Sequence, residues 1–225
     1  MANNIRVTLE IGPKGKRIVA VAPDWPGLSR GAATADAAVE RLRSYIPRYA
    51  PVAKLAGMEA VFADSPTFDV VESYPGISST DFWGISFRFS SIDQKSMPVE
   101  EIERLLALMQ ASWAFFDNVR SRVSAEMQRG PRGGGKDRDR IVRHTLGSEL
   151  DFTRRVGVLT SLEVILTEEG LKAHRDAFVD AIRAFHAQNQ MARTWPLRYL
   201  IRHTAFHTLD HAWEMEDKDL TPKAA

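Results

Sequence analysis

The apolar residues of this chain follow two different periods, and the change from one to the other falls near Pro98. Before Pro98, apolar and polar residues alternate in short runs, which is typical of half-buried strands. After it, apolar residues recur every three or four positions, which is typical of amphipathic helices. The sequence therefore predicts an α+β protein, with the sheet in its first part and the helices in its second.

The first part predicts four strands and one helix. Alternating or continuous apolar residues mark the strands, at residues 5–11, 17–22, 68–71 and 85–89. Thr34 is a suitable helix cap, and the helix that it begins is expected to reach about Tyr49. The order strand, strand, helix, strand, strand predicts a small antiparallel sheet with one helix on its face, as a domain over residues 1–92.

The second part predicts a bundle of four long helices over residues 97–218, followed by a flexible tail over 219–225. Each helix has a start signal at its first turn, and these signals are Pro98, Asp137 or Asp139, Thr167, and Thr194 with Pro196. The fourth helix is expected to run to about Lys218.

Composition excludes several classes of protein. Thirty Lys and Arg residues stand against 29 Asp and Glu, a net charge of +1 that removes the electrostatic argument for a nucleic-acid partner. The chain has no cysteine, which excludes disulfides, thiolate nucleophiles, cysteine-ligated zinc and iron–sulfur clusters. No apolar run approaches the roughly 18–20 residues of a membrane span, and the N-terminus lacks the apolar region of a signal peptide. A soluble, cytoplasmic protein with no membrane partner is expected.

The fourth helix carries three histidines at steps of four, His203, His207 and His211. Because a step of four turns a helix by only about 40°, they form one stripe along its surface. Side chains four apart lie about 6 Å from each other at Cβ, so His207 and His211 can reach one metal ion. Alternatively, the stripe faces solvent or a partner.

Acidic residues lie on nearly the same face of this helix. Glu214 and Asp210 are the predicted catalytic residues, since either carboxylate could orient an imidazole or accept a proton from a bound water. A third metal ligand has to come from another helix, and His144 is the candidate, with a hydrogen-bonded core histidine as the alternative. His174 and His186 have charged or polar neighbours and are predicted to lie on the surface.

The lone histidine in IVRHTLGSELDF and the HxxxH spacing in IRHTAFHTLDHAWEME resemble the DinB family, also called YfiT-like, over roughly residues 98–218. The resemblance implies a four-helix bundle in which His144, His207 and His211 hold a divalent metal, with His203 as a neighbour. Family members include thiol-dependent S-transferases, isomerases and hydrolases, and they are often dimeric. This chain has Ala212-Trp213-Glu214 where members commonly have Arg-Gly-Gln, so substrate contacts from that run do not transfer.

The segment PDWPGLSRGAATADAAVERLRSYI is similar to the HicB-like fold, over roughly residues 5–72. The resemblance implies the fold of the first domain. HicB proteins are antitoxins, but this chain shows no appended DNA-binding segment, so the antitoxin role is not expected.

A glycine-rich motif lies between the first two predicted helices of the bundle. Residues 130–137, GPRGGGKD, nearly match a phosphate-binding P-loop, but Asp137 replaces the hydroxyl that would hold Mg²⁺ and the preceding segment is helical. We therefore interpret this segment as a loop between two helices, whose basic residues could attract an anionic substrate.

Two functions follow from these patterns. The first is a divalent-metal-dependent enzyme, a thiol S-transferase or a hydrolase acting on a small molecule, with Zn²⁺, Ni²⁺ or Fe²⁺ on the imidazoles. Any thiol in the reaction has to come from a low-molecular-weight cosubstrate, since the chain has no cysteine. The second is a non-enzymatic binding or assembly module, in which the first domain contacts a partner and the bundle forms a homodimer.

Overall fold

A mixed sheet of four strands forms the N-terminal part of the molecule. The structure is a computed structural model that describes residues 4–62, 66–130 and 137–222. The strands are β1 (Asn4–Ile11), β2 (Ile18–Val21), β3 (Ser29–Ala32) and β4 (Thr67–Pro75). They lie in the order β3-β2-β1-β4, with β1 antiparallel to β2 and β2 antiparallel to β3. The α+β class predicted from the sequence is confirmed.

The helices follow the sheet along the chain, with two of them inserted before β4. They are α1 (Ala35–Ser44), α2 (Ile46–Leu55), α3 (Ser78–Trp83), α4 (Val99–Arg122), α5 (Arg138–Thr153), α6 (Leu162–Ile165), α7 (Glu168–Ala187) and α8 (Leu197–Asp217). Short 3-10 turns at Glu59–Phe62 and Arg154–Val156 complete the regular structure of the described residues.

The prediction of an antiparallel sheet is wrong at β4, which pairs with β1 in parallel from Asn4–Thr67 to Ile11–Pro75. Parallel neighbours need a long crossover connection. Here the chain between β1 and β4 contains β2, β3, α1 and α2, which supply that crossover.

The prediction of one helix reaching Tyr49 is also wrong, because the helix divides at Tyr45. Thr34 caps α1 as predicted, and its hydroxyl accepts a hydrogen bond from the Ala37 amide. Pro47 lies in the first turn of α2. Proline has no N–H to donate to the preceding turn, so it suits the first turn of a new helix.

The predicted strand at residues 85–89 is absent from the described residues, where this segment has no strand pairing. Its amides are bound by a side chain instead. The buried carboxylate of Glu10 accepts hydrogen bonds from the Phe87 amide at 3.0 Å and the Arg88 amide at 3.0 Å. It also accepts from the hydroxyls of Thr80 at 2.6 Å and Ser86 at 2.7 Å. Backbone donors used in this way are not available to a sheet ladder.

The four long helices predicted for the second part are confirmed as α4, α5, α7 and α8, and the four-residue α6 is additional. Asp137 caps α5 by accepting from the Arg140 amide, and Thr167 caps α7 by accepting from the Gly170 amide. Pro196 immediately precedes α8, which ends one residue before Lys218.

Two apolar clusters hold the molecule together. The first joins the sheet, α1 and α2 to α4, α5 and α8, and the second lies between α4, α7 and α8. Trp213 of α8 and Phe116 of α4 are fully buried in the first, and Phe178 of α7 is fully buried in the second. The helices on either side of the predicted boundary near residue 92 therefore share one core, while the division into domains stays a prediction.

None of the described helices combines the length and apolar composition needed to cross a membrane.

Near the C-terminal end of the described residues, the first residues after α8 are hydrogen-bonded to the end of α4. The Ser124 amide donates to Asp219, and the Leu220 amide donates to the Ser124 hydroxyl.

Candidate metal centre

Helix α8 presents His207 and His211 toward α5, and its buried face fixes that orientation. Leu209 and Trp213 are fully buried on the opposite side of the helix. The hydroxyl of Thr208 is buried as well, and it donates to the Thr204 carbonyl at 3.0 Å, so it needs no partner from another helix. With this face packed inside, the step of four leaves both histidines half-buried at the edge of the core.

His144 of α5 completes a cluster of three imidazoles. Its ring centroid lies 5.4 Å from that of His207 and 4.9 Å from that of His211, and the His207 and His211 centroids are 4.7 Å apart. One nitrogen from each ring lies within 4.8 Å of one nitrogen from each of the others. His144 is exposed, so the cluster is open to solvent on the α5 side.

Glu214 holds the ring of His211. The Nδ1 atom of His211 lies 2.8 Å from Oε2 of Glu214. A carboxylate can only accept, so Nδ1 carries the hydrogen, and Nε2 of a neutral ring keeps its lone pair. This is the arrangement in which a carboxylate fixes the tautomer and the orientation of a metal-binding histidine.

Lys218 fixes the other oxygen of Glu214, with Nζ 2.6 Å from Oε1. Burial by itself would raise the pKa of Glu214, which is only 6% exposed. The hydrogen bonds from His211 and Lys218 outweigh burial and lower that pKa to about 2. Glu214 is therefore an anion at neutral pH, and both of its oxygens are engaged within the protein.

His203, the third histidine of α8, lies in an aromatic cluster. Its ring stacks on Tyr199 with the centroids 5.2 Å apart, and it meets Phe152 and Trp195 edge to face. Burial and the nearby guanidinium groups of Arg202 and Arg155 lower the pKa of His203 to about 3, which keeps the ring neutral. Phe152 also contacts His207, so this aromatic cluster borders the three histidines.

Asp210, the other predicted catalytic residue, borders a cavity that is not lined by the three histidines. Its carboxylate lies 3.8 Å from the guanidinium of Arg30. The cavity has a volume of about 230 Å³ and is lined by β3, α1, the end of α3 and α8. Arg17, Arg30 and Arg41 all line it. No sequence motif links these arginines, because 24 positions separate Arg17 from Arg41 and only the folded chain brings them together.

The prediction of a surface position is wrong for His174, which is 2% exposed. Its Nδ1 atom lies 2.9 Å from the Thr160 hydroxyl, and burial lowers its pKa to about 4. The charged neighbour that suggested a surface position is Arg175, which is itself buried. Its guanidinium pairs with Glu149 at 3.0 Å and with Asp117 at 2.6 Å. His186 is half-buried, with Nε2 2.7 Å from the Met97 carbonyl.

Residues 131–136 of the P-loop-like motif at 130–137 lie outside the described part of the chain, so its interpretation as a loop stays a prediction.

Neither a family model, nor a curated protein, nor a solved structure matches this chain. The DinB and HicB resemblances therefore stay predictions as well.

Proposed function

We propose that this protein is a divalent-metal-dependent enzyme of the DinB-like kind, whose helical part binds the metal through His144, His207 and His211. The observation that carries the proposal is the convergence of three imidazoles from two helices. His207 and His211 are adjacent through local helix geometry, whereas His144 reaches them only through the packing of α5 on α8. A chance HxxxH spacing does not require that third ring.

The donor set suits a divalent transition metal. Three neutral imidazoles are ligands that Zn²⁺, Ni²⁺ and Fe²⁺ accept, whereas Mg²⁺ and Ca²⁺ prefer oxygen. Three protein ligands also leave coordination positions open, as in catalytic rather than structural sites. A metal bound here would supply Lewis acidity and would lower the pKa of a water or a thiol that it binds.

The surrounding residues hold one ligand ring of the site in a fixed orientation and leave the opposite side of the site accessible to solvent. Glu214 and Lys218 keep the His211 tautomer fixed, so this ring needs little reorganisation to bind a metal. Phe152 covers the cluster next to His207, while the exposed side chain of His144 marks the side from which a small molecule would enter. We assign Glu214 a positioning role, since both of its oxygens are already hydrogen-bonded.

The reaction that we propose is thiol transfer to a small molecule, or hydrolysis of one. Because the chain has no cysteine, the thiol would be a low-molecular-weight cosubstrate. Two assays on metal-loaded and chelator-treated protein separate these reactions. One follows the consumption of a small thiol with an activated electrophile, and the other follows the cleavage of an activated ester.

The first test of the proposal is metal content. Untagged protein, stripped with a chelator and reloaded with Zn²⁺ or Ni²⁺, is expected to hold one ion per chain and to melt at a higher temperature than the stripped form. His207→Ala should lose both effects. His186→Ala should keep them, because His186 is hydrogen-bonded to the Met97 carbonyl and does not belong to the three-histidine cluster. No bound metal and no thermal shift in the unsubstituted protein would reject the proposal.

A second candidate function is a binding or assembly module, and the edge of the sheet favours it. β4 is an outer strand, and its Val70 and Val71 are 45% and 43% exposed. An outer strand with apolar side chains can pair with the same strand of a second copy. If Val70→Lys converts a dimer to a monomer while His207→Ala changes nothing measurable, the assembly function is the better account.

A further inference from the structure

The cavity beside Asp210 is separate from the three histidines and has its own chemistry. It lies between the sheet and α8, with Arg30 and Ser29 contributed by β3 and Arg41 by α1. Three arginines face one carboxylate there, so the walls carry an excess of two positive charges. Its volume of about 230 Å³ is below the roughly 300–1,000 Å³ of pockets for drug-sized ligands, which limits an occupant to a small molecule.

Arg30 is held rigidly in the wall of this cavity. It is 5% exposed, and its Nη1 atom donates to the Ser29 carbonyl at 2.6 Å. The centre of its guanidinium lies 3.7 Å from the ring centroid of Tyr45 and 4.5 Å from that of Trp213. A guanidinium stacked in this way keeps its charge and its plane fixed, which prepares it to bind an oxyanion.

Arg41 is positioned by the backbone of the same strand, and its Nη1 atom donates to the Gly31 carbonyl at 2.8 Å. That bond uses one of the five N–H groups of the side chain and orients the others. Arg41 is exposed and Arg30 is buried, so the cavity has one cation at its mouth and one in its wall.

Ser29 supplies an independent indication of a ligand. Its side chain is 5% exposed and lines the cavity, and within the described part of the chain its hydroxyl has no hydrogen-bond partner. A buried hydroxyl without a partner costs about 1–3 kcal/mol, so such groups are rare unless a ligand or a water satisfies them. A hydroxyl beside two guanidinium groups is a suitable donor to an oxyanion.

We propose that this cavity binds a small dianion, and that a phosphoryl group is its natural occupant. Two negative charges would balance the excess of the walls, and a phosphoryl group offers oxygens to Arg30, Arg41 and Ser29 together. The aromatic side chains of Tyr45, Trp83 and Phe206 leave an apolar surface for the remainder of a small organic phosphate. The proposal does not depend on the metal, because none of its residues belongs to the three-histidine cluster.

Calorimetry on the full-length, chelator-treated protein tests this proposal with inorganic phosphate as the probe and chloride at equal ionic strength as the reference. Arg41→Gln should weaken phosphate binding by roughly tenfold or more, the effect expected for the loss of one charge-assisted hydrogen bond. Arg154→Gln is the matched control, because Arg154 is exposed and pairs with Asp151 away from the cavity. It should leave the affinity unchanged.

Ser29→Ala separates binding from folding. Removing a hydroxyl that has no partner in the described structure should leave the melting temperature the same or higher, while phosphate affinity falls severalfold. A smaller loss than that of Arg41→Gln is expected, because the hydroxyl carries no charge.

Malonate and sulfate identify the source of the dianion. Binding of phosphate and sulfate supports a phosphoryl site, and binding of malonate alone supports the dianion site but assigns it to a dicarboxylate. The proposal is overturned if none of the three binds at millimolar concentration, or if Arg41→Gln and Ser29→Ala bind phosphate as tightly as Arg154→Gln.

Discussion

The Nδ1 atom of His211 lies 2.8 Å from Oε2 of Glu214, three residues further along the same helix. The two side chains are neighbours through helix geometry alone, and the buried Lys218 holds the far oxygen of the carboxylate at 2.6 Å. Two consecutive contacts therefore link three residues, His211, Glu214 and Lys218, from the cluster to the end of the helix. We expect this arrangement to support metal binding rather than proton transfer.

Glu214→Gln should weaken metal binding by about 10- to 100-fold, the usual effect of altering the partner of a ligating histidine. The amide can still accept from His211, but it loses the charge that fixes the tautomer. Competition with a chromophoric chelator measures the change. Glu216→Gln is the control from the same helix, since Glu216 pairs with Arg48 at 3.1 Å and not with the cluster. Equal affinities in the two variants would contradict the positioning role.

Acid should destabilise the protein through its buried neutral histidines. Burial lowers the pKa of His174 to about 4, whereas the unfolded chain takes up this proton near 6.5. Between these values the unfolded state binds more protons, so the stability contributed by neutral His174 is present above pH 6.5 and lost as the pH falls to 4. His203, with a pKa of about 3, adds a contribution of the same sign.

Urea unfolding of the chelator-treated protein at a series of pH values measures this loss, which is at most about 1.4 kcal/mol per pH unit for one proton. His174→Gln should reduce the slope between pH 6.5 and 4 and leave the part due to His203. A slope unchanged in that variant would show that His174 is not the group responsible.

Glu10 should be among the most costly positions to truncate. Its carboxylate is fully buried and binds the amides of Phe87 and Arg88 and the hydroxyls of Thr80 and Ser86. Glu10→Ala leaves these donors without their acceptor, and we expect a loss of about 3 kcal/mol or more. Chemical denaturation gives the value. Glu40→Ala, at an exposed position of α1, should stay within about 0.5 kcal/mol of the unsubstituted protein.

The elements that could be predicted from the sequence are those set by local chemistry. The caps Thr34, Asp137 and Thr167 accept the amide hydrogen bonds that their positions suggested. The adjacency of His207 and His211 follows from a step of four in a helix. Their meeting with His144 depends on how two helices pack, which the spacing within one helix does not determine. The need for a third ligand from another helix and the family resemblance both pointed to His144.

The errors arose where distant residues decide the local structure. The alternation at residues 85–89 favoured a strand, but the Glu10 carboxylate, more than seventy positions away, takes its amides. β3 has the sequence SRGA, with no apolar alternation, and it becomes a strand by pairing with β2. Arg175 and Arg30 carry charges that would ordinarily face solvent, yet both are buried against partners that the fold supplies.

Two glycines should respond in opposite ways to alanine. A Cβ on Gly31 would lie 2.3 Å from the Gly84 carbonyl oxygen, so Gly31→Ala forces the backbone apart and should cost about 1–3 kcal/mol. A Cβ on Gly147, inside α5, would meet nothing within 4 Å, and Gly147→Ala should raise the stability by about 0.5–1 kcal/mol. Thermal unfolding of both variants measures the two effects. Equal changes would show that close approach at Gly31 is not the cause.

The central claim is that imidazoles from α5 and α8 bind a common metal ion. Anomalous diffraction at the zinc edge, from crystals of untagged protein loaded with one equivalent of Zn²⁺, tests it most directly. We predict a single strong peak between the rings of His144, His207 and His211. An absence of signal between these three rings, or a peak bound to other residues, would contradict the account.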